Sequence, residues 1–200
     1  FSNFGAKKTY SEVLELSRAF AAYLQNELGI RKGDRIALMS PNMMAFPVAM
    51  LGIIRAGGVQ VNVNPMYTAR ELEHQLNDAD VDTIVVFSGS TPVLGEVIAN
   101  TKVKNVIVAN LDDLNDLGLP SPPVDPRLSE NITFLDALAA GKAMQLAEVD
   151  LNGDDLLYLQ YTGGTTGLSK GAMLTHRNLV ANVLQFEAFA GDYIKPGKDV

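Results

Sequence analysis

The sequence predicts a doubly wound α/β fold: a mostly parallel sheet with helices on both faces. Three observations carry that expectation. Short, nearly unbroken apolar runs recur along the chain, among them Arg35–Met39 (RIALM) and Thr83–Phe87 (TIVVF). Strands covered on both faces read this way, whereas half-exposed strands alternate apolar with polar. Stretches of helical periodicity separate these runs, and turn or cap residues such as Gly29, Lys32-Gly33-Asp34 and Gly57-Gly58 punctuate them.

Each element follows in order. Ser11 is expected to cap a first helix, in which Val13, Leu14, Phe20, Tyr23, Leu24 and Leu28 recur at helical spacing. Gly29 supplies its left-handed stop. Arg35–Met39 then forms a strand. A second helical run extends from Asn42 to Ile54, and Pro47 inside it requires an early kink or a start nearer the proline. Val59–Val63 is the next strand. Thr68-Ala69-Arg70-Glu71 is a capping box that opens a helix to about Asp78. A strand at Thr83–Phe87, a short helix over 92–101 and a strand at Asn105–Ala109 continue the alternation. Residues 110–132 break it, with Pro120, Pro122, Pro123 and Pro126 and many acids, and are expected to form an exposed loop. Thr133 caps a short helix over 134–140, residues 156–161 (LLYLQY) form the last strand, and Thr175 caps a helix to about Phe189.

Composition narrows the function. With 47% hydrophobic and 20% charged residues, the chain can bury a core and is not disordered. The net charge of −7 is concentrated in residues 111–130 and 148–155, leaving the remainder near neutral. No basic stripe follows a nucleic-acid backbone, which excludes that class of partner. The absence of cysteine removes disulfides and thiolate metal sites and fits a reducing compartment. No apolar run approaches the roughly 18 residues that span a bilayer, and no basic segment leading into an apolar stretch marks the chain for secretion. Met43, Met44 and Met50, at helical spacing, read as core. His74 reads as an ordinary exposed helix position and His176 as a helix-start residue. Neither has carboxylates at ligand spacing, so no structural metal is expected. Asn64-Pro65-Met66-Tyr67 reads as a turn. Asp199-Val200 follows a Lys-Pro-Gly-Lys turn where a strand would normally begin, so a fragment of a longer protein is expected.

The chemistry sits in YTGGTTGLSKG, residues 161–171, between a strand and a capped helix. Open α/β sheets place ligands at such junctions. Gly163, Gly164, Gly167 and Gly171 let the backbone approach a ligand closely, and successive amides there form an anion-binding concavity. Thr162, Thr165, Thr166 and Ser169 add hydroxyls, and Lys170 adds a mobile charge suited to a terminal phosphate. The nucleotide-triphosphatase loop needs its lysine directly after the second glycine. Here two residues separate Gly167 from Lys170, and no G-x-G-x-x-G occurs. The bland alternative is a surface turn of the same composition.

YTGGTTGLSKGAMLTHRN closely resembles the phosphate-binding signature of adenylate-forming enzymes: acyl-CoA synthetases, aryl-CoA ligases, luciferases and peptide-synthetase adenylation domains. KGDRIALMSPNMMAFPVAMLGIIRAGG and VNVNPMYTARELEHQLNDADVDTIVVF resemble bacterial long-chain fatty-acid:CoA ligases. The resemblance covers essentially the whole chain and implies the N-terminal part of the AMP-binding domain. It implies that ATP and a fatty acid form an acyl-adenylate and pyrophosphate, after which CoA displaces AMP. It assigns Tyr161, Thr162, Gly163, Gly164, Thr165, Thr166, Gly167, Leu168, Ser169, Lys170 and Gly171 to the ATP triphosphate. Thr165 becomes the hydroxyl on the Mg2+ side, and Lys170 the group that stabilises departing pyrophosphate. The family's Tyr-Gly-x-Thr-Glu segment, ribose-binding aspartate, hinge, C-terminal lysine and CoA site are expected beyond residue 200, so this chain alone lacks a complete active site. The resemblance places the full-length enzyme in the cytoplasm and allows peripheral attachment to the inner membrane and a homodimer. Two other readings stay open: a ligase of the same fold for an aromatic or short-chain acid, and a non-catalytic module that binds ATP or an acyl chain.

Overall fold

The computed structural model describes residues 1–162 and 169–191. The described chain opens with a hairpin of two short strands, β1 (Ser2–Asn3) and β2 (Ala6–Lys7), which the sequence reading did not foresee. Phe4 and Gly5 at its tip have φ of 50° and 93°, the sign that a two-residue hairpin turn requires at both positions.

The first helix, α1 (Tyr10–Asn26), starts one position before the expected cap. Thr9, not Ser11, is the N-cap: its hydroxyl accepts from the Glu12 amide, and Glu12 reaches back to the Thr9 amide at 2.7 Å. Such a cap contributes about 1 kcal/mol. Gly29 ends the turn with φ of 67° as expected. Then follow β3 (Arg35–Met39), α2 (Ala45–Arg55), β4 (Val59–Val63), α3 (Ala69–Asp78) and β5 (Thr83–Phe87). Helix α2 begins two residues before Pro47, where the missing N–H costs no helical hydrogen bond. Next come α4 (Thr91–Val97), β6 (Asn105–Ala109), β7 (Asn131–Thr133), α5 (Phe134–Lys142), β8 (Leu156–Thr162), β9 (Lys170–Thr175) and α6 (His176–Ala190). Thr68, Thr133 and Thr175 cap their helices as the sequence predicts.

Seven strands form one sheet in the order β7-β6-β5-β3-β4-β8-β9. All neighbouring pairs are parallel except β8 with β9. Alternate strand residues feed two cores. Ile36, Leu38, Val85 and Ile107 pack with α1, α2 and α5, where Phe20 and Phe134 meet at 4.9 Å between ring centres. Ala37, Met39, Ile84, Val86 and Val108 pack with Leu72, Leu76 and Leu94 of α3 and α4. The sheet is thus covered on both faces. Met43 is buried in the first layer, with Met50 packed against it, and Met44 is buried too, as core residues should be.

Two expectations need correction. Residues 110–132 are not wholly irregular: Asn131 and Ile132 enter β7 and pair with Val106 and Ile107. The segment is pinned inward by buried Asp113, Asn115 and Leu128, while its prolines stay at the surface. Asp113 accepts the Asn110 amide at 2.8 Å, and burial pushes its carboxyl above the usual range. The second correction concerns 169–175. The chain does not pass from β8 through a loop straight into α6, because β9 intervenes as an antiparallel edge strand. The acidic stretch before β8 is also structural, with Asp155 paired to Lys32 at 2.7 Å and Asp154 to Arg177 at 3.0 Å.

Candidate functional site

Strands β3 and β4 lie side by side at the centre, and the helices that follow them sit on opposite faces. The chain reverses its direction of winding there: β4 lies on one side of β3 and β5 on the other. Such a switch point leaves a crevice at the carboxyl ends of the strands. A pocket of about 430 Å3 occupies it, lined by Leu38, Phe46, Asn62, Asn64, Tyr67 and Tyr161, among others. The turn at 64–67 closes one wall, with the Met66 amide donating to Asn64 Oδ1 at 3.0 Å and the Tyr67 amide to the Asn64 carbonyl at 3.1 Å.

The Gly/Thr segment begins and ends beside this crevice. Tyr161 and Thr162 close β8, and Lys170 and Gly171 open β9. Thr162 is the register partner of Lys170, and Tyr161 that of Gly171. Partners across an antiparallel pair share a face. Lys170 and Thr162 therefore lie together, both exposed, while Tyr161 points to the α3 layer. Gly163, Gly164, Thr165, Thr166, Gly167 and Leu168 lie outside the described residues. What the structure brings together are the two roots of the segment.

Glycine at 171 has a specific cause. A Cβ there would stand 2.9 Å from Tyr161 Cε2, so any side chain would have to displace the ring. Tyr161 is buried, and its hydroxyl donates to Asp78 Oδ2 at 2.5 Å. Burial first, and then the Asp78 carboxylate, push the phenol far above its ordinary value, keeping it a hydrogen-bond donor. His74 departs from the sequence expectation. It is half-buried rather than freely exposed, with Nε2 3.2 Å from the carbonyl oxygen of Ser169. His176 does act as a helix-start residue, its amide donating to the Asp155 carbonyl at 3.0 Å.

Sequence reasoning missed a row of amides under the crevice. Gln60 donates to Asn62, and Asn62 donates to Gln160 at 2.5 Å across the β4–β8 pair. A Gln-x-Asn alternation in an otherwise Val-rich strand was the available signal. These amides border a cavity of about 530 Å3 that Phe46, Met50 and Leu179 also line. Among the described residues, no group of three His, Asp or Glu side chains could hold a metal ion by itself. The groups present at the loop's roots, an exposed ammonium and an exposed hydroxyl, fit a polyanion.

The model of the AMP-binding enzyme family matches residues 1–200. A long-chain-fatty-acid–CoA ligase of Salmonella typhimurium is 46% identical over 211 aligned residues, covering all of this chain and 38% of that protein. This chain thus spans well under half the length of such curated relatives. Among solved structures, a long-chain-fatty-acid-CoA ligase from Archaeoglobus fulgidus superposes with TM-score 0.72 at 29% identity, over 94% of this chain and 35% of that one. ATP-bound MatB from Rhodopseudomonas palustris also gives TM-score 0.72 at 29% identity, over 92% of this chain and 33% of that one. The family model's match over the whole chain and the identity to these relatives agree: the chain belongs to the AMP-binding enzyme family.

Proposed function

We propose that this chain supplies the triphosphate-binding part of an ATP-dependent acid:CoA ligase for long-chain fatty acids. The observation that carries the reading is the Gly/Thr segment with Lys170, rooted beside the switch-point crevice. The 46% identity to a long-chain-fatty-acid–CoA ligase supports the acid class, and the likeness to an ATP-bound solved structure supports the nucleotide.

In the first step, a fatty-acid carboxylate oxygen attacks the α-phosphorus of ATP, and the bond to the bridging oxygen breaks. Acyl-adenylate and pyrophosphate result. In the second, the CoA thiol, losing its proton, attacks the acyl carbon, and AMP leaves. The nucleophiles come from the substrates, so the protein's task is to position them and neutralise charge. By the motif's composition, the residues from Tyr161 to Gly171 would hold the triphosphate, through glycine-rich backbone and the hydroxyls of Thr162 and Thr165. On this reading the Thr165 hydroxyl would serve the Mg2+ that accompanies ATP, and the Lys170 ammonium would stabilise the departing pyrophosphate. CoA, the ribose contacts and most of the acyl tunnel belong to regions outside this chain. The same resemblance would put the full-length enzyme in the cytoplasm and leaves peripheral attachment to the inner membrane and a homodimer open.

Isotope exchange between pyrophosphate and ATP, run on the full-length protein with acids of graded length, tests this reading. Exchange should depend on a long-chain acid and on Mg2+, with CoA thioester appearing only when CoA is added. Exchange driven equally well by an aromatic acid, or by none, would sink the assignment.

A further inference from the structure

We infer that His74 and Asp78 of α3 act together as a positioning clamp that fixes both roots of the phosphate-binding segment. The inference rests on the function proposed above and adds residues that the segment's own motif does not contain. His74 and Asp78 are four positions apart on one helix, so they project from the same face. Asp78 holds the entry root, accepting the Tyr161 hydroxyl at 2.5 Å. His74 holds the exit root, with Nε2 3.2 Å from the Ser169 carbonyl oxygen. That oxygen can only accept, so Nε2 carries the proton. The Tyr161 ring then meets Gly171 from the α3 side, at the spacing that forbids a Cβ. Fixing the ring therefore fixes the strand that begins with Lys170.

Helix α3 is a suitable anchor because it is itself tied down at several points. Thr68 and Glu71 close its first turn, and Leu72 and Leu76 are fully buried. Gln75 donates to the Asn62 carbonyl at 2.7 Å, and Arg35 Nη1 donates to the carbonyl of Ala79, the helix C-cap, at 2.9 Å. A glycine-rich segment stabilises a developing charge only if its amides are already in place. Neither His74 nor Asp78 touches a reacting atom; each acts through Tyr161 or Ser169.

The test uses the full-length protein with His74→Ala, His74→Gln, Asp78→Ala, Asp78→Asn and Tyr161→Phe. The alanine variants and Tyr161→Phe should lower kcat/KM for ATP in pyrophosphate exchange by about tenfold, below the roughly hundredfold that a 1 Å misplacement can cost. KM for the acid and the rate of thioester formation from supplied acyl-adenylate should stay within about twofold of the parent, since no triphosphate is present then. Gln at 74 and Asn at 78 keep a donor and an acceptor at the same reach and should recover most of the loss. Without any ligand, amide hydrogen exchange at 169–172 should speed up in the alanine variants and return to the parent rate in the Gln and Asn variants. Unchanged exchange at 169–172, or no recovery by the conservative variants, overturns the clamp. Parent protein that shows no acid-dependent pyrophosphate exchange overturns the ligase reading instead, and the amide-exchange measurement still decides the clamp. Tyr161→Phe removes a single oxygen, so it remains informative should an alanine variant fail to fold.

Discussion

Lys170 stands exposed at the first position of β9, opposite Thr162. In the function proposed above, its charge matters most as pyrophosphate leaves, when negative charge on the leaving group grows. Only contacts stronger in the transition state than in the ground state raise the rate of the chemical step. In the full-length protein, Lys170→Ala should slow adenylate formation on the order of 10²-fold and leave fatty-acid binding nearly intact. Thioester formation from supplied acyl-adenylate should hardly change. Single-turnover measurements of the two half-reactions check this, and an equal loss in both would assign Lys170 to the fold instead. The role proposed for the lysine was readable in the sequence because the motif that suggests it is one short run. His74 was not. Its neighbours Glu73, Gln75 and Asn77 describe a polar helix face, while its partner Ser169 is 95 positions away. Tyr161 was half legible: the motif marks it, but nothing local shows that Asp78, 83 positions earlier, engages its hydroxyl.

At the scale of elements, the sequence located strands β3, β4, β5 and β6 to the residue, since short runs rich in Val, Ile and Leu between turn signals leave little choice of boundary. It missed β1, β2, β7 and β9 for a shared physical reason. Each is short or lies at an edge, and pairing with a partner, rather than its own pattern, makes it a strand. The cap of α1 was available and overlooked: Thr9 has Glu three positions on, Ser11 has Leu. Packing between elements was invisible, and Gly141 shows why. Helix α5 presses so closely on α1 that a Cβ at 141 would stand 1.9 Å from the Ala19 carbonyl oxygen. Alanine in place of glycine gains about 1 kcal/mol of helix propensity. An overlap with backbone cannot be relieved by a rotamer change, and overpacking costs about 1–3 kcal/mol or more. The clash wins, so Gly141→Ala should destabilise by about 1 kcal/mol or more, read as a lower urea midpoint with an unchanged slope. An equal or higher midpoint would show that the two helices can separate freely.

Over the whole molecule, the strand that leads into the Gly/Thr segment is also the one recruited from farthest along the chain. Asn62 of β4 meets Gln160 of β8 across 98 positions, whereas Thr83 and Asn105, facing one another on β5 and β6, are 22 apart. Closing the longer span costs about 1.3 kcal/mol more in chain entropy, so the order of assembly follows from the strand order. During refolding, β3, β5 and β6 should become protected from amide exchange before β8 and β9, in line with the slowness of distant pairing. Pulse-labelled exchange reads this directly, and simultaneous protection of all strands would refute it. On a ribosome the same order holds for a simpler reason: residues 35–109 emerge first and can pair among themselves. The nascent chain thus builds the centre of its sheet before the proposed nucleotide segment has emerged, so on that proposal ATP cannot act as a template for the early fold.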